Sequence, residues 1–149
     1  MITPLRPHRP VSRGRRVIGV DPELTAALAP VLRDLDGPDG TRLRVGESDW
    51  ADDVPGSAGM MLWDSGGSGT GIRVELGRPL ADQIAFVADQ VQEQAVEALW
   101  REGRPTNWPA CPQHPATHPA AAVARDGRAY WICPVSRETI SRIGGLGAP

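Results

Sequence analysis

Residues 111–134 read CPQHPATHPAAAVARDGRAYWICP, and this stretch holds both cysteines of the chain and two of its three histidines. Cys111, His114, His118 and Cys133 are each followed directly by a proline. Their spacing, C-x2-H-x3-H-x14-C, offers two thiols and two imidazoles, the donors that tetrahedral zinc takes, in the number that fills its shell. His114 and His118 stand four apart, as two ligands do on a metalloprotease helix. Pro115 and Pro119 instead bias both histidines toward extended backbone, and the glutamate of H-E-x-x-H is missing. The stretch therefore reads as a loop that wraps a metal. A proline after each ligand also narrows the unfolded ensemble, so less order has to be created when the ion binds.

The same stretch supplies a hairpin. Asp126-Gly127 lies between two strand-like runs and is a favoured central pair of a two-residue type I′ turn. Pairing about that turn sets Arg125 opposite Arg128, Val123 opposite Tyr130, Ala122 opposite Trp131 and Ala120 opposite Cys133. Opposed residues share a face, and so do residues two apart on one strand. An extended chain thus brings His118 to the face of Cys133, one diagonal step of about 7–8 Å away. Trp131 shares that face and Trp108 lies shortly before Cys111, so both indoles are candidates to shield the metal from water.

One structural zinc ion per chain, closed by Cys111, His114, His118 and Cys133, is the reading that follows. A Cys111–Cys133 disulfide and two ordinary buried thiols compete with it. If one histidine does not bind, the open position admits hydrolytic chemistry, and Asp126 and Glu138 are the local candidates for a base. The zinc-deaminase pattern of H-x-E with P-C-x-x-C is absent.

Upstream, the pattern is that of a small α+β body. VIGV (17–20) is a short strand candidate, and Asp21-Pro22-Glu23 supplies an N-cap, a proline for the first helical position and an early acid. Leu24, Leu28, Val31, Leu32 and Leu35 make one apolar helix face; Pro30 predicts a kink or a division, and DGPDG (36–40) an end. Strands are predicted at TRLRV (41–45), MMLWD (60–64) and IRVEL (72–76), joined by the acidic, irregular GESDWADDVPGSAG (46–59). A long helix over 80–102 is marked by Leu80, Ile84, Val87, Ala88, Val91, Ala95, Ala98 and Leu99. Asp82, Asp89, Gln90, Glu93 and Glu97 occupy its other faces, and packing on a sheet accounts for the stripe without a partner. SGGSGTG (65–71) follows a strand, but a strand also follows it and the P-loop lysine is missing, so it reads as a hairpin loop.

A chain of 149 residues with 40% hydrophobic content suits one ordinary domain with a real core. All 16 basic residues are arginine, a bias of the kind a GC-rich genome imposes. Arg6, Arg9, Arg13, Arg15 and Arg16 fall in the first 16 residues with no acid, leaving 11 arginines against 18 acids in the remainder. That segment has too little apolar surface to offset the entropy of ordering, which predicts a disordered basic arm. Such an arm binds phosphates, an acidic partner or its own acidic body, or is simply solvated. No apolar run matches a signal peptide or the roughly 20 residues of a membrane span, so a cytoplasmic protein is expected, and there thiols serve metals more often than disulfides.

With its ligand-bearing turn and a hairpin that ends in a ligand, the segment from Trp108 to Leu146 resembles zinc-ribbon and zinc-knuckle modules. Those usually present two C-x-x-C-like turns, whereas the second turn here has Cys133 alone. From about residue 72 onward the chain also resembles a group of small actinobacterial proteins with an amphipathic helix, a CPxHPxxHP turn and a W-x-CP strand. That resemblance implies a GC-rich bacterial source and no particular activity. The expected architecture is α+β: a basic arm (1–16), a body (17–107) of one small antiparallel sheet packed by two amphipathic helices, and a zinc-ribbon-like hairpin segment (108–149) packed on it as one domain. The expected function is that of a non-enzymatic adaptor or accessory protein that binds another protein. A nucleic-acid binder using the arginine arm and zinc segment is the second reading, opposed by the acidic body and a net charge of −2. A zinc-dependent hydrolase is the third.

Overall fold

The computed structural model describes residues 21–147. The arm with its five arginines and the strand predicted at 17–20 lie outside the described residues. Asp21 caps the first helix, α1 (Pro22–Leu35), by accepting the amides of Glu23 at 2.8 Å and Leu24 at 3.4 Å. The helix runs on through Pro30 without dividing, and its face of Leu24, Ala27, Leu28, Val31 and Leu35 is buried.

Three antiparallel strands follow: β1 (Arg44–Glu47), β2 (Ser57–Trp63) and β3 (Gly69–Glu75), in the order β1-β2-β3. Met60, Leu62, Ile72 and Val74 point inward and are buried, as period-two alternation requires. On the outer face two indoles displace side chains. A Cβ on Gly69 would stand 2.5 Å from the Trp63 ring, and one on Gly71 would stand 2.6 Å from that of Trp50. Trp50 Nε1 donates to the carbonyls of Met60 and Ile72, both at 3.2 Å. These contacts explain why β2 and β3 extend into glycine-rich sequence that reads as loop.

The long helix α2 (Leu80–Arg101) matches its predicted span and stops where Gly103 takes a positive φ of 68°. Its buried face is Ala81, Val87, Ala88, Val91, Ala95, Ala98 and Leu99; Leu80, predicted to join them, is 50% exposed. Gln83 and Gln94 are buried on the same helix, and the reason lies in β3, whose outer edge has no strand partner among the described residues. Gln90 accepts the Arg73 amide at 2.9 Å and donates to the Arg73 carbonyl at 2.8 Å. Gln83 donates to the Glu75 carbonyl at 3.0 Å and Gln94 to that of Ser68 at 3.5 Å. Side-chain amides thus take the place of a fourth strand.

A second sheet forms from β4 (Ala121–Arg125), β5 (Arg128–Ile132) and β6 (Thr139–Arg142). Among the described residues the fold is therefore α+β with two three-stranded antiparallel sheets, where one sheet and a hairpin were expected. Asp126 and Gly127 both have positive φ, 51° and 74°, as a type I′ turn demands. The pairs Arg125–Arg128, Val123–Tyr130 and Ala122–Trp131 fall in the predicted register. The ladder ends at Ala121–Ile132, because Ala120 gives its amide to the Pro109 carbonyl at 2.7 Å. Trp108, Ala120, Ala129, Trp131 and Ile143 share one hydrophobic cluster with the buried faces of α1, α2 and the first sheet.

Asp34 fastens the second sheet to α1. This buried carboxylate accepts Trp131 Nε1 at 2.8 Å, the Gly144 amide at 2.6 Å and the Leu146 amide at 3.0 Å. No helix among the described residues is long and apolar enough to cross a membrane.

Candidate metal centre

The loop between α2 and β4 is tied down at both ends. Gln92 of α2 donates to the carbonyls of Trp108 at 3.1 Å and Ala120 at 2.6 Å, and Ala110 forms a bridge with Pro119. Inside this neck the chain makes two successive tight turns, with the His114 amide on the Cys111 carbonyl at 3.0 Å and the Thr117 amide on the His114 carbonyl at 3.1 Å. The turns fold Cys111, His114 and His118 back toward Cys133, which leaves the end of β5.

One donor atom from each of Cys111, His114, His118 and Cys133 lies within 4.8 Å of the others, close enough to hold a metal ion. Nδ1 of His114 stands 3.7 Å from Cys111 Sγ and 3.6 Å from Cys133 Sγ. Both thiols are free and fully buried. The His118 ring lies 4.8 Å from that of His114, and its Nδ1 is 3.1 Å from the Pro119 carbonyl. Since a carbonyl only accepts, Nδ1 carries a proton, and in the neutral ring Nε2 then has the free lone pair. Nε2 is buried and has no hydrogen-bond partner among the described residues.

Around Cys133 the chain favours a thiolate. Ser136 beside the sulfur is the largest influence, with its amide donating to the thiolate, and the Val135 amide and Cys111 add to it. Together they outweigh burial and bring the thiol from 9.0 down to about 6. The Ser136 amide reaches the sulfur at 3.4 Å, and the turn is closed by Cys133 N–H on the Glu138 carbonyl and Arg137 N–H on the Cys133 carbonyl, both at 2.9 Å. Arg137 there takes a positive φ of 67°. Gln113 bridges the Cys111 and Cys133 turns: its oxygen accepts the Ser136 hydroxyl at 2.8 Å and its amide binds the Glu138 carboxylate.

Comparison of the chain with protein-family models, curated proteins and solved structures gave no match.

The structure thus brings together all four candidate ligands, Cys111, His114, His118 and Cys133. Trp108 and Trp131 meet edge to face, 5.7 Å apart at 74°, inside the main core, and Trp131 turns its Nε1 to Asp34. Arg6, Arg9, Arg13, Arg15 and Arg16 are outside the described residues. Asp126 occupies the hairpin turn at the far end of β5 from Cys133, and Glu138 is engaged by Gln113, so the two acids do not converge on the cluster. No sequence pattern points to Gln92 or Gln113. For Ser136 a signal was present, since CPVS (133–136) repeats the CPQH (111–114) turn with serine in the place of the histidine.

Proposed function

We propose that the four donors hold one structural zinc ion in a zinc-ribbon-like arrangement, and that the chain is a non-enzymatic interaction or accessory protein whose shape depends on the ion. The observation that carries the metal is His118 Nε2, a buried acceptor with no partner among the described residues, beside two thiols and a second imidazole. Leaving such a group unpaired is costly, and a cation at the centre of the cluster removes the cost. The dimensions suit zinc. With Zn–S near 2.3 Å and Zn–N near 2.0–2.1 Å, tetrahedral angles set sulfur and nitrogen about 3.6 Å apart. The two sulfur–nitrogen distances at His114 are 3.7 and 3.6 Å. The Pro119 carbonyl behind His118 Nδ1 is the kind of outer partner that fixes the tautomer of a ligating histidine.

Four protein donors leave zinc no open position for water or substrate, which favours a structural role over a hydrolytic one. In the two Cys-Pro turns Ser136 stands where a ribbon would carry its fourth ligand, and His118 supplies that donor instead. The serine keeps a supporting part as amide donor to Cys133.

Cobalt substitution tests the reading. Cobalt-loaded protein is expected to give the visible spectrum of a tetrahedral site with two sulfur and two nitrogen donors, unchanged by added hydroxamate. A five-coordinate spectrum, or one that shifts with the hydroxamate, refutes the closed site and supports the hydrolase.

A further inference from the structure

Leu80 occupies the periodic position of a core residue and yet is half exposed, and Ile84, one turn on, is only partly buried. Both face a groove of about 510 Å³ between α1, the start of α2 and the second sheet. Ala29 and Pro30 of α1 complete its aliphatic floor, and Arg33, Arg128 and Arg142 stand around it, all exposed. Among the described residues no aspartate or glutamate lines the groove. Asp34, beside Arg33 in sequence, is buried and committed to Trp131, Gly144 and Leu146. Among the described residues the three arginines make no ion pair, whereas Arg78, Arg101 and Arg104 each meet a carboxylate. The hairpin even sets Arg128 opposite Arg125, a like-charge pair that costs stability. Unpaired cations gather here although residues 17–149 hold 11 arginines against 18 acids.

We infer that this groove is the docking site for a short acidic segment of a partner protein, with aliphatic side chains seated on Leu80 and Ile84 and carboxylates on the three arginines. Guanidinium forks match carboxylates in bidentate geometry, and arginine is enriched where proteins meet. The floor offers no aromatic ring on which a base could stack, which argues against single-stranded nucleic acid as the occupant. The inference rests on the metal reading in one respect: Arg128 and Arg142 are carried by the sheet whose end the zinc ties.

The test begins by panning a displayed library of random 12-residue peptides against the zinc-loaded full chain. Recovered peptides are expected to combine Asp or Glu with Leu, Ile, Val or Met. A synthetic copy should bind, by fluorescence anisotropy, at least tenfold more tightly than its Glu→Gln analogue. The Arg128→Glu, Arg142→Glu double variant and, separately, Leu80→Asp should each weaken binding at least tenfold; all these positions are exposed, so the fold tolerates them. Zinc content is measured on every sample. Recovery of no peptide, recovery of peptides without acids, or unchanged affinity in zinc-loaded variants overturns the groove and leaves the metal reading standing. A labelled 20-residue oligothymidylate that binds with the same arginine dependence overturns it in favour of nucleic acid. Wild-type protein that contains no metal refutes the metal reading by itself.

Discussion

Replacing Asp34 by asparagine probes how the second sheet is attached to the rest of the chain. The carboxylate is 4% exposed and accepts three N–H groups, from Gly144 at 2.6 Å, Trp131 at 2.8 Å and Leu146 at 3.0 Å. Asparagine has one acceptor oxygen. Set toward Trp131 and Gly144, it keeps those two bonds as neutral ones, each weaker by about 1 kcal/mol than a bond to a charged group. Its NH₂ then faces the Leu146 amide, and the third bond is replaced by a buried donor without an acceptor, at about 1–3 kcal/mol. Relief from burying a charge offsets part of the loss, leaving a net destabilisation of about 2–4 kcal/mol. For a chain of this size that lowers Tm by about 4–16 °C. Urea denaturation and calorimetry of zinc-loaded Asp34→Asn measure it, and a double-mutant cycle with Trp131→Phe should show a coupling of about 1 kcal/mol or more. A net effect below about 1 kcal/mol, or strict additivity with Trp131→Phe, refutes the reasoning.

Metal-free protein should show a pH dependence centred on Cys133. The folded thiol is held at about 6 against an ordinary 9.0, so its contribution is fully present above pH 9 and declines as pH falls toward 6. Urea midpoints at pH 5, 7 and 9 are expected to rise with pH, and Cys133→Ser should flatten that rise; an equal slope in the variant contradicts the assignment. Gln92→Ala removes the donor shared by the Trp108 and Ala120 carbonyls and should cost about 1–3 kcal/mol. It should also weaken competition for zinc against a chelator, because those carbonyls fix the neck of the ligand loop. Unchanged stability and zinc retention would count against that role.

The long helix, the α1 cap, the hairpin turn and the four donors of the centre were legible because each depends on residues close in sequence. Asp126-Gly127 needs only its own backbone, and the spacing of Cys111, His114 and His118 closes within one loop. What escaped depends on partners far away in the chain. Gly59, Gly69 and Gly71 read as breakers until Trp50 and Trp63 are seen to occupy the space of their side chains. Gln90 reads as solvent-facing until its amide meets Arg73. β6 is four residues long with Ile140 its one aliphatic side chain, and its pairing with β5 is interrupted at Trp131–Ile132, so no periodicity announced it. Leu80 shows the converse error, an apolar residue in phase with the core and yet not within it.

The amides that line the outer strand of the first sheet also bear on how the chain behaves among copies of itself. A bare strand edge is a template on which another chain can continue the sheet, the first step toward fibrils. On β3, seven residues long, Gln83, Gln90 and Gln94 occupy that template. The other edge, β1, has four residues and ends in the exposed charges of Arg44 and Glu47, a poor surface for growth. Protection on the longer side thus resides in one face of α2. Any event that lifts this helix uncovers the whole of β3 at once, so self-association of the protein should track the docking of α2 rather than global unfolding.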